Sequence, residues 1–260
     1  YPMQGDGALG MPDTDAIRKI NLIPQFFRRE ETGTTVFIVG FISFREWEII
    51  IAKTVLNNFW PALTDGKLEA EIGSITINQE NIETQLKKHF RLNEPDTKEN
   101  PNPLPYYMAY TSKDHEPFQQ KLPILGSAEL YTLTGKDLPN KTAYARSNGM
   151  IVGKLTKGYY CAENHASYFV CDDTKGNEIL QMMENATHDE WSSKNCPDLD
   201  LAGRKDVVYV EAEKEWKNFI KIAHERFTRK EDEKFTSIPG LEEYQLYLLP
   251  EIEENHTGES

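Results

Sequence analysis

Arg28-Arg29-Glu30-Glu31-Thr32-Gly33-Thr34-Thr35-Val36-Phe37-Ile38-Val39-Gly40-Phe41-Ile42-Ser43-Phe44-Arg45-Glu46-Trp47 is the stretch from which the fold is read. Gly33 punctuates a turn, and residues 34–42 are β-branched or apolar at nearly every position, which predicts a strand covered on both faces. Ser43-Phe44-Arg45-Glu46 has capping-box spacing, with a hydroxyl to accept from the Glu46 N–H and a carboxylate to reach back. Trp47, Ile51, Val55 and Phe59 then recur at helical spacing, and Pro61 is expected to end the helix. A buried strand passing through a cap into an amphipathic helix suits the junction between two domains.

Outward from this junction, residues 67–72 alternate as a half-exposed strand, and Gly73-Ser74 turns into a second strand over 74–77. Asn78 is placed to cap a helix carrying Ile82, Leu86 and Phe90 on one face. Residues 93–105 shift to Pro, Asn, Asp, Glu and Lys and read as a loop. Strands are predicted over 127–133, over 142–155 with a break at Asn148-Gly149, and over 168–171. A short helix from Thr174 bears Ile179, Leu180 and Met183. A long one over 204–226 bears Trp216, Phe219, Ile220, Ala223 and Phe227. This is an α+β pattern, a mixed sheet with packed helices, expected as two small α/β subdomains. The divisions are an end of a preceding domain (1–33), a β-α-β subdomain (34–92), a linker (93–126), a second α+β subdomain (127–230) and an acidic tail (231–260).

Composition narrows the function classes. Hydrophobic residues make up 38% of the 260, too many for a mostly disordered chain. The formal net charge of −13 disfavours nucleic acid and anionic membrane as partners. No window approaches the run of about eighteen apolar residues that a membrane span needs. Cys161, Cys171 and Cys196 have no Cys-x-x-Cys spacing, so neither a disulfide framework nor a zinc knuckle is expected, and the predicted compartment is the cytoplasm.

Gly5-Asp6-Gly7-Ala8-Leu9-Gly10 has the spacing of a dinucleotide loop, but only four residues precede it and Pro12 follows, so the strand and helix that chemistry requires are missing. His188-Asp189, His165, Cys161 and Cys171 are candidate zinc ligands at spacings that match no standard site, and no metal is expected. A Cys–His nucleophile pair is equally without a motif. Arg146-Ser147-Asn148-Gly149-Met150 sets a permanent cation beside an Asn-Gly turn, either as an anion clamp or as a surface arginine flanking a hairpin.

Three segments resemble a family. Residues 28–35 resemble the turn before the last strand of the ATP-binding domain in GHKL-type ATPases, the superfamily of gyrase, MutL, MORC proteins and the heat-shock chaperone. Ser147-Asn148-Gly149-Met150 and Met183-Glu184-Asn185-Ala186-Thr187-His188-Asp189-Glu190-Trp191 resemble two motifs in the C-terminal part of bacterial and phage-associated members. From this resemblance the motif residues are Gly33, Gly149, Met150, His188, Asp189 and Trp191. It implies a transducer-like region, which in that superfamily donates a cation to the terminal phosphate; here Lys136, Lys141 and Arg146 are the candidates. The Asn-bearing helix and the Asp-x-Gly-x-Gly loop that hold nucleotide are not visible, so no cofactor is expected in this chain, and ATP with magnesium only alongside an upstream domain.

The expected function is therefore a non-catalytic module of a GHKL-type ATPase, coupling nucleotide state to dimerisation or to a protein partner. Two other readings stand beside it. One is a self-contained acidic adaptor, phage- or defence-associated, that binds a basic protein. The other is a metal-dependent hydrolase using His165 and His188.

Overall fold

A computed structural model describes Gln25 and residues 44–113, 116–155, 164–196 and 207–235, with side chains of the last segment described over 208–226. The chain divides into two units, residues 1–45 and 46–260, and the elements below belong to the second. The strand predicted over 34–42, the resembling turn with Gly33, the glycine-rich stretch at 5–10, Cys161, Phe227 as a side chain and the tail beyond residue 235 lie outside the described residues.

Helix α1 (Trp47–Thr64) opens the unit. Glu46 is its N-cap in left-handed backbone (φ 65°) and makes no side-chain cap bond, so Glu46 is not the third helical residue of a capping box. Pro61 does not stop the helix either. It lies one turn before the end, where Pro61, Ala62 and Leu63 are buried, and the packing of that turn holds what the missing N–H would weaken. The buried stripe is Ala52, Leu56, Trp60 and Leu63. Trp47, Ile51, Val55 and Phe59 flank it, half-buried.

The predicted hairpin is present as β1 (Ala70–Ile72) and β2 (Ile75–Ile77), with Gly73 at φ +58°. Asn78 caps the turn that follows β2, accepting from the Glu80 and Asn81 N–H groups at 3.2 Å each, and α2 (Ile82–His89) starts three residues later than a cap at Asn78 would place it. The region expected as a linker instead contributes two elements. These are α3 (Leu104–Thr111), with Leu104, Pro105, Tyr106, Tyr107 and Ala109 buried, and the edge strand β3 (Phe118–Leu122). Next come β4 (Gly126–Thr134), β5 (Lys141–Ala145), β6 (Ile151–Leu155) and β7 (His165–Cys171). Asp173 caps α4 (Thr174–Met182) through the Lys175 and Gly176 N–H groups. Helix α5 (Val207–Phe235) closes the described chain.

The five large strands run in the order β3-β4-β7-β5-β6, antiparallel except for the β5–β7 pair, a mixed sheet as predicted. The period-two alternation of a strand divides their side chains between two cores. Ala143, Ala145 and Tyr168 face α1, α2 and α3, where Trp60 packs on Tyr168 at 4.7 Å. Tyr144, Phe169 and Cys171 face α4 and α5, where Trp216, Phe219, Ile220 and Ala223 form the helix stripe. The sheet thus has helices on both faces, α1, α2 and α3 on one and α4 and α5 on the other. No helix among the described residues is long and apolar enough to cross a membrane.

Candidate functional site

The turn between β5 and β6 is where the two resembling motifs meet. Gly149 donates its N–H to the Arg146 carbonyl at 2.8 Å, and Arg146 donates to Met150 at 3.0 Å. Gly149 has φ +82° and is buried, and a Cβ there would lie 2.4 Å from the Ala62 backbone nitrogen of α1. Glycine is required at this position on two counts, the left-handed backbone and the approach of a helix. Lys67 Nζ reaches the Ser147 carbonyl at 3.3 Å, and the Ser147 N–H donates to Asn177 Oδ1 of α4 at 3.2 Å. Met150 is half-buried beside the turn.

Arg146 turns its guanidinium onto Glu184. Nε donates to Oε1 at 2.5 Å and a terminal nitrogen donates to Oε2, a bidentate pair. The Glu184 side chain is only 2% exposed. It also accepts from the Trp191 indole at 3.2 Å and meets His188 Nδ1 at 2.9 Å. Burial pushes the Glu184 carboxyl up, and the hydrogen bonds from Arg146, His188 and Trp191 more than reverse this, so its pKa lies below the ordinary range. The Arg146 pKa is raised, chiefly by its hydrogen bond to Glu184.

The second motif folds into a closed loop around this pair. Glu184 and Trp191 bridge antiparallel, and the Ser192 N–H donates to the Met183 carbonyl at 2.8 Å. Asn185 and Thr187 donate side-chain bonds to Asp189 Oδ1 at 2.5 and 2.7 Å, which lowers the Asp189 pKa. His188 takes the left-handed backbone (φ 56°) that the loop's reversal demands and leaves its side chain 57% exposed. Trp191 is buried against Tyr144 at 4.8 Å and against Trp216 of α5 at 5.8 Å. A continuous chain of contacts therefore runs from Ala62 of α1 through Gly149, Arg146, Glu184 and Trp191 to Trp216 of α5.

A second charged cluster lies at the other end of β5. Asp96, its side chain 2% exposed, accepts from the Asn102 N–H at 2.8 Å, Tyr106 Oη at 2.7 Å and Lys154 Nζ at 2.7 Å, with Lys141 Nζ at 3.4 Å. Lys141 also donates to the Asp96 carbonyl. Burial raises the Asp96 pKa, but the charge of Lys154 and the donors around it outweigh burial and hold it ionised, below the usual carboxylate range. Lys154 is itself pulled below an ordinary lysine by burial, against the attraction of Asp96. Four donors converging on one carboxylate favour its anion, and an ionised Asp96 keeps the ammonium beside it.

The three candidate cations are thus not brought together. Lys141 opens β5 and Arg146 follows its last residue, roughly 17 Å apart at about 3.3 Å per strand residue, and each is committed to a buried carboxylate. Lys136 is exposed in the β4–β5 connection, where its carbonyl accepts from Asn164 at 2.7 Å. Sequence reasoning passed over Glu184, which lay inside a quoted motif, and Asp96, whose surroundings read as linker; an isolated carboxylate carries no local sign of burial.

The two histidines of the hydrolase reading also lie apart. His188 is on Glu184. His165 of β7 packs on His224 of α5 with tilted rings, centroids 4.3 Å apart, and His224 Nε2 is 3.0 Å from Ser167 Oγ, itself 3.0 Å from Thr132 Oγ1. Ser167 is 0% exposed and His224 1%, so this hydroxyl–imidazole chain is sealed between the sheet and α5 and no substrate reaches it. Among the described residues no three His, Cys, Asp or Glu side chains gather as a metal site. Cys171 is buried, its thiol pushed up to about 11 first by that burial, the reverse of an activated nucleophile.

No family model, curated protein or solved structure was found to match this chain.

Proposed function

We propose that this chain is the coupling module of a nucleotide-driven ATPase of the GHKL type that its sequence resembles, passing a displacement of α1 to α5 without a complete nucleotide site of its own. The observation that carries the reading is the double grip of the Arg146–Met150 turn, which touches α1 through Gly149 and the 184–191 loop through Arg146. Packed elements with little free space move as bodies, so a shift of α1 is felt at this turn and at Trp191 behind it. Of the three candidate cations, Lys136 is the one able to meet a phosphate without breaking an internal ion pair, since Lys141 and Arg146 are held by Asp96 and Glu184.

The test is calorimetric titration of ATP and magnesium into the 260-residue chain, alongside the reading frame ahead of Tyr1. The expected outcome is no heat of binding in the micromolar range, and an upstream Asn-bearing helix with an Asp-x-Gly-x-Gly loop. Micromolar ATP binding by the chain alone, or an unrelated upstream frame, overturns the reading. In the longer protein, Lys136→Ala is expected to reduce ATP turnover while the melting temperature of the module stays unchanged.

A further inference from the structure

The outer strand of the large sheet, β3, leaves one edge open. The Asp172 N–H donates to the Ser127 carbonyl at 3.2 Å, so Ser127 turns its main-chain groups toward β7, and Gly126, Ala128 and Leu130, at the alternate positions of β4, turn theirs toward β3. Their partners Leu122, Gln120 and Phe118 bond inward. The N–H and C=O groups of Gln119 and Lys121 therefore point away from the sheet, and no strand among the described residues pairs with them. Gln119, Gln120 and Lys121 are exposed. The strand is held from behind, with Leu122 buried and Phe118 packed on Phe219 of α5 at 5.2 Å, so pairing would order little that is not ordered already. Pro117 and Pro123 flank it and have no N–H to offer, which confines the open edge to two residues.

We propose that this edge pairs with β3 of a second copy of the chain, antiparallel about a two-fold axis through Gln120, joining two five-stranded sheets into one. Three registers bring outward-pointing residues together. Lys121 opposite the partner's Lys121 sets like charges together and leaves Gln119 facing a proline. Gln119 opposite the partner's Gln119 leaves Lys121 facing a proline. Gln119 opposite the partner's Lys121 engages every outward N–H and C=O of both strands and sets no lysine directly against a lysine. In that register the ammonium also meets a polar neighbour, because Gln119 donates its side-chain N–H to Glu129 at 2.8 Å and keeps its amide oxygen as an acceptor. The edge is thus complementary to itself in one register only. The prolines that stop longer pairing also close the contact, giving an isologous dimer rather than a fibre. The contact needs no nucleotide and is independent of the coupling role.

The experiment is sedimentation velocity of the full chain from about 10 µM to about 1 mM, where a reversible dimer with a Kd on the order of 100 µM is expected, as befits a small contact. Lys121→Pro deletes one outward N–H from each copy and no inward bond, and is expected to weaken the dimer about tenfold or more. An unchanged melting curve certifies its fold; should it melt early, Gln119→Lys, which sets a lysine against the partner's Lys121, takes its place with the same expected direction. Gln120→Cys reports the register. At the axis the two Cα atoms of a non-hydrogen-bonded pair lie about 4.5 Å apart, within reach of a disulfide. Mild oxidation is expected to give a covalent dimer that the wild-type chain, with Cys161, Cys171 and Cys196, does not form. A wild-type chain that stays monomeric at about 1 mM overturns the proposal and leaves the edge to a strand of another protein. A dimer indifferent to the edge variant, or Gln120→Cys that crosslinks no more than wild type, overturns it by placing the contact elsewhere.

Discussion

Asp96 and Glu184 are two carboxylates with the same exposure, 2%, at opposite ends of one strand, and they differ in what surrounds them. The partners of Asp96 are enclosed: Tyr106 is 0% exposed, Asn102 1%, and the Lys141 and Lys154 side chains 20% and 18%. Of Glu184's partners, Arg146 at 21% is covered as fully as the two lysines, but His188 at 57% looks outward. The cost of breaking a buried ion pair is set by the charge left behind, and a charge that can turn to water costs little. Asp96 therefore staples the 91–106 segment to β5 and β6, whereas Glu184 keeps one partner, His188, that water can replace.

The largest effect that would sharpen this contrast is expected for Asp96→Asn, which strands two lysines and should cost about 4 kcal/mol, read as a fall in the urea midpoint. A loss under about 1 kcal/mol would break the distinction, because that is the size expected of an exposed pair.

Acid should act on a third place, the His165–His224 pair. Burial lowers His165 to about 4 and, with His165 beside it as a smaller cause, His224 to about 3. The folded state excludes a proton that the unfolded chain binds at about 6.5, so this contribution is intact above pH 6.5 and declines as pH falls toward 4. For His165 the loss amounts to roughly 3 kcal/mol by pH 4. His165→Gln is expected to flatten the stability–pH curve over that window. Asp96→Asn should instead remove slope below it, because a depressed carboxylate stabilises above its unfolded pKa and loses that stability as pH falls through its folded one. Identical curves for the two variants would refute the assignment.

Gly149→Ala is expected to cost about 2 kcal/mol from left-handed backbone strain and overpacking against Ala62, and to loosen protection of amide hydrogens in the last turn of α1. Protection unchanged there would disconnect α1 from the turn. Glu184→Gln should cost about 1.5 kcal/mol, well below Asp96→Asn. His188→Ala, acting on a side chain more than half exposed, should cost under about 0.5 kcal/mol.

Elements with a strong period were legible in the sequence. The 70–77 hairpin followed from alternation around Gly73, the helix from Thr174 from its spacing, and the stripe of α5 from Trp216, Phe219, Ile220 and Ala223. The α+β class followed from their order. Helix α3 was not legible, because Pro103 and Pro105 around its start and the polar tract ahead of it carry loop signals, and only burial of Tyr106 and Tyr107 beneath the sheet makes it a helix. Pro61 misled in the same way, its local penalty outweighed by the packing of its neighbours. At the site, the motif around His188 and Trp191 was legible as a unit; its partner was not, since Arg146 and Glu184 are separated by 38 positions and only the sheet's order joins them.

The sequence by itself determined the local features: the hairpin turn at Gly73, the helix start at Thr174, the amphipathic stripes, and the excess of negative charge. Those depend on backbone preference and on periodicity, and both act over a few residues. Which cation meets which carboxylate and that Gly149 lies against α1 were decided by the tertiary structure alone. Burial and Coulomb attraction depend on distance in space, and that distance is fixed by the fold as a whole.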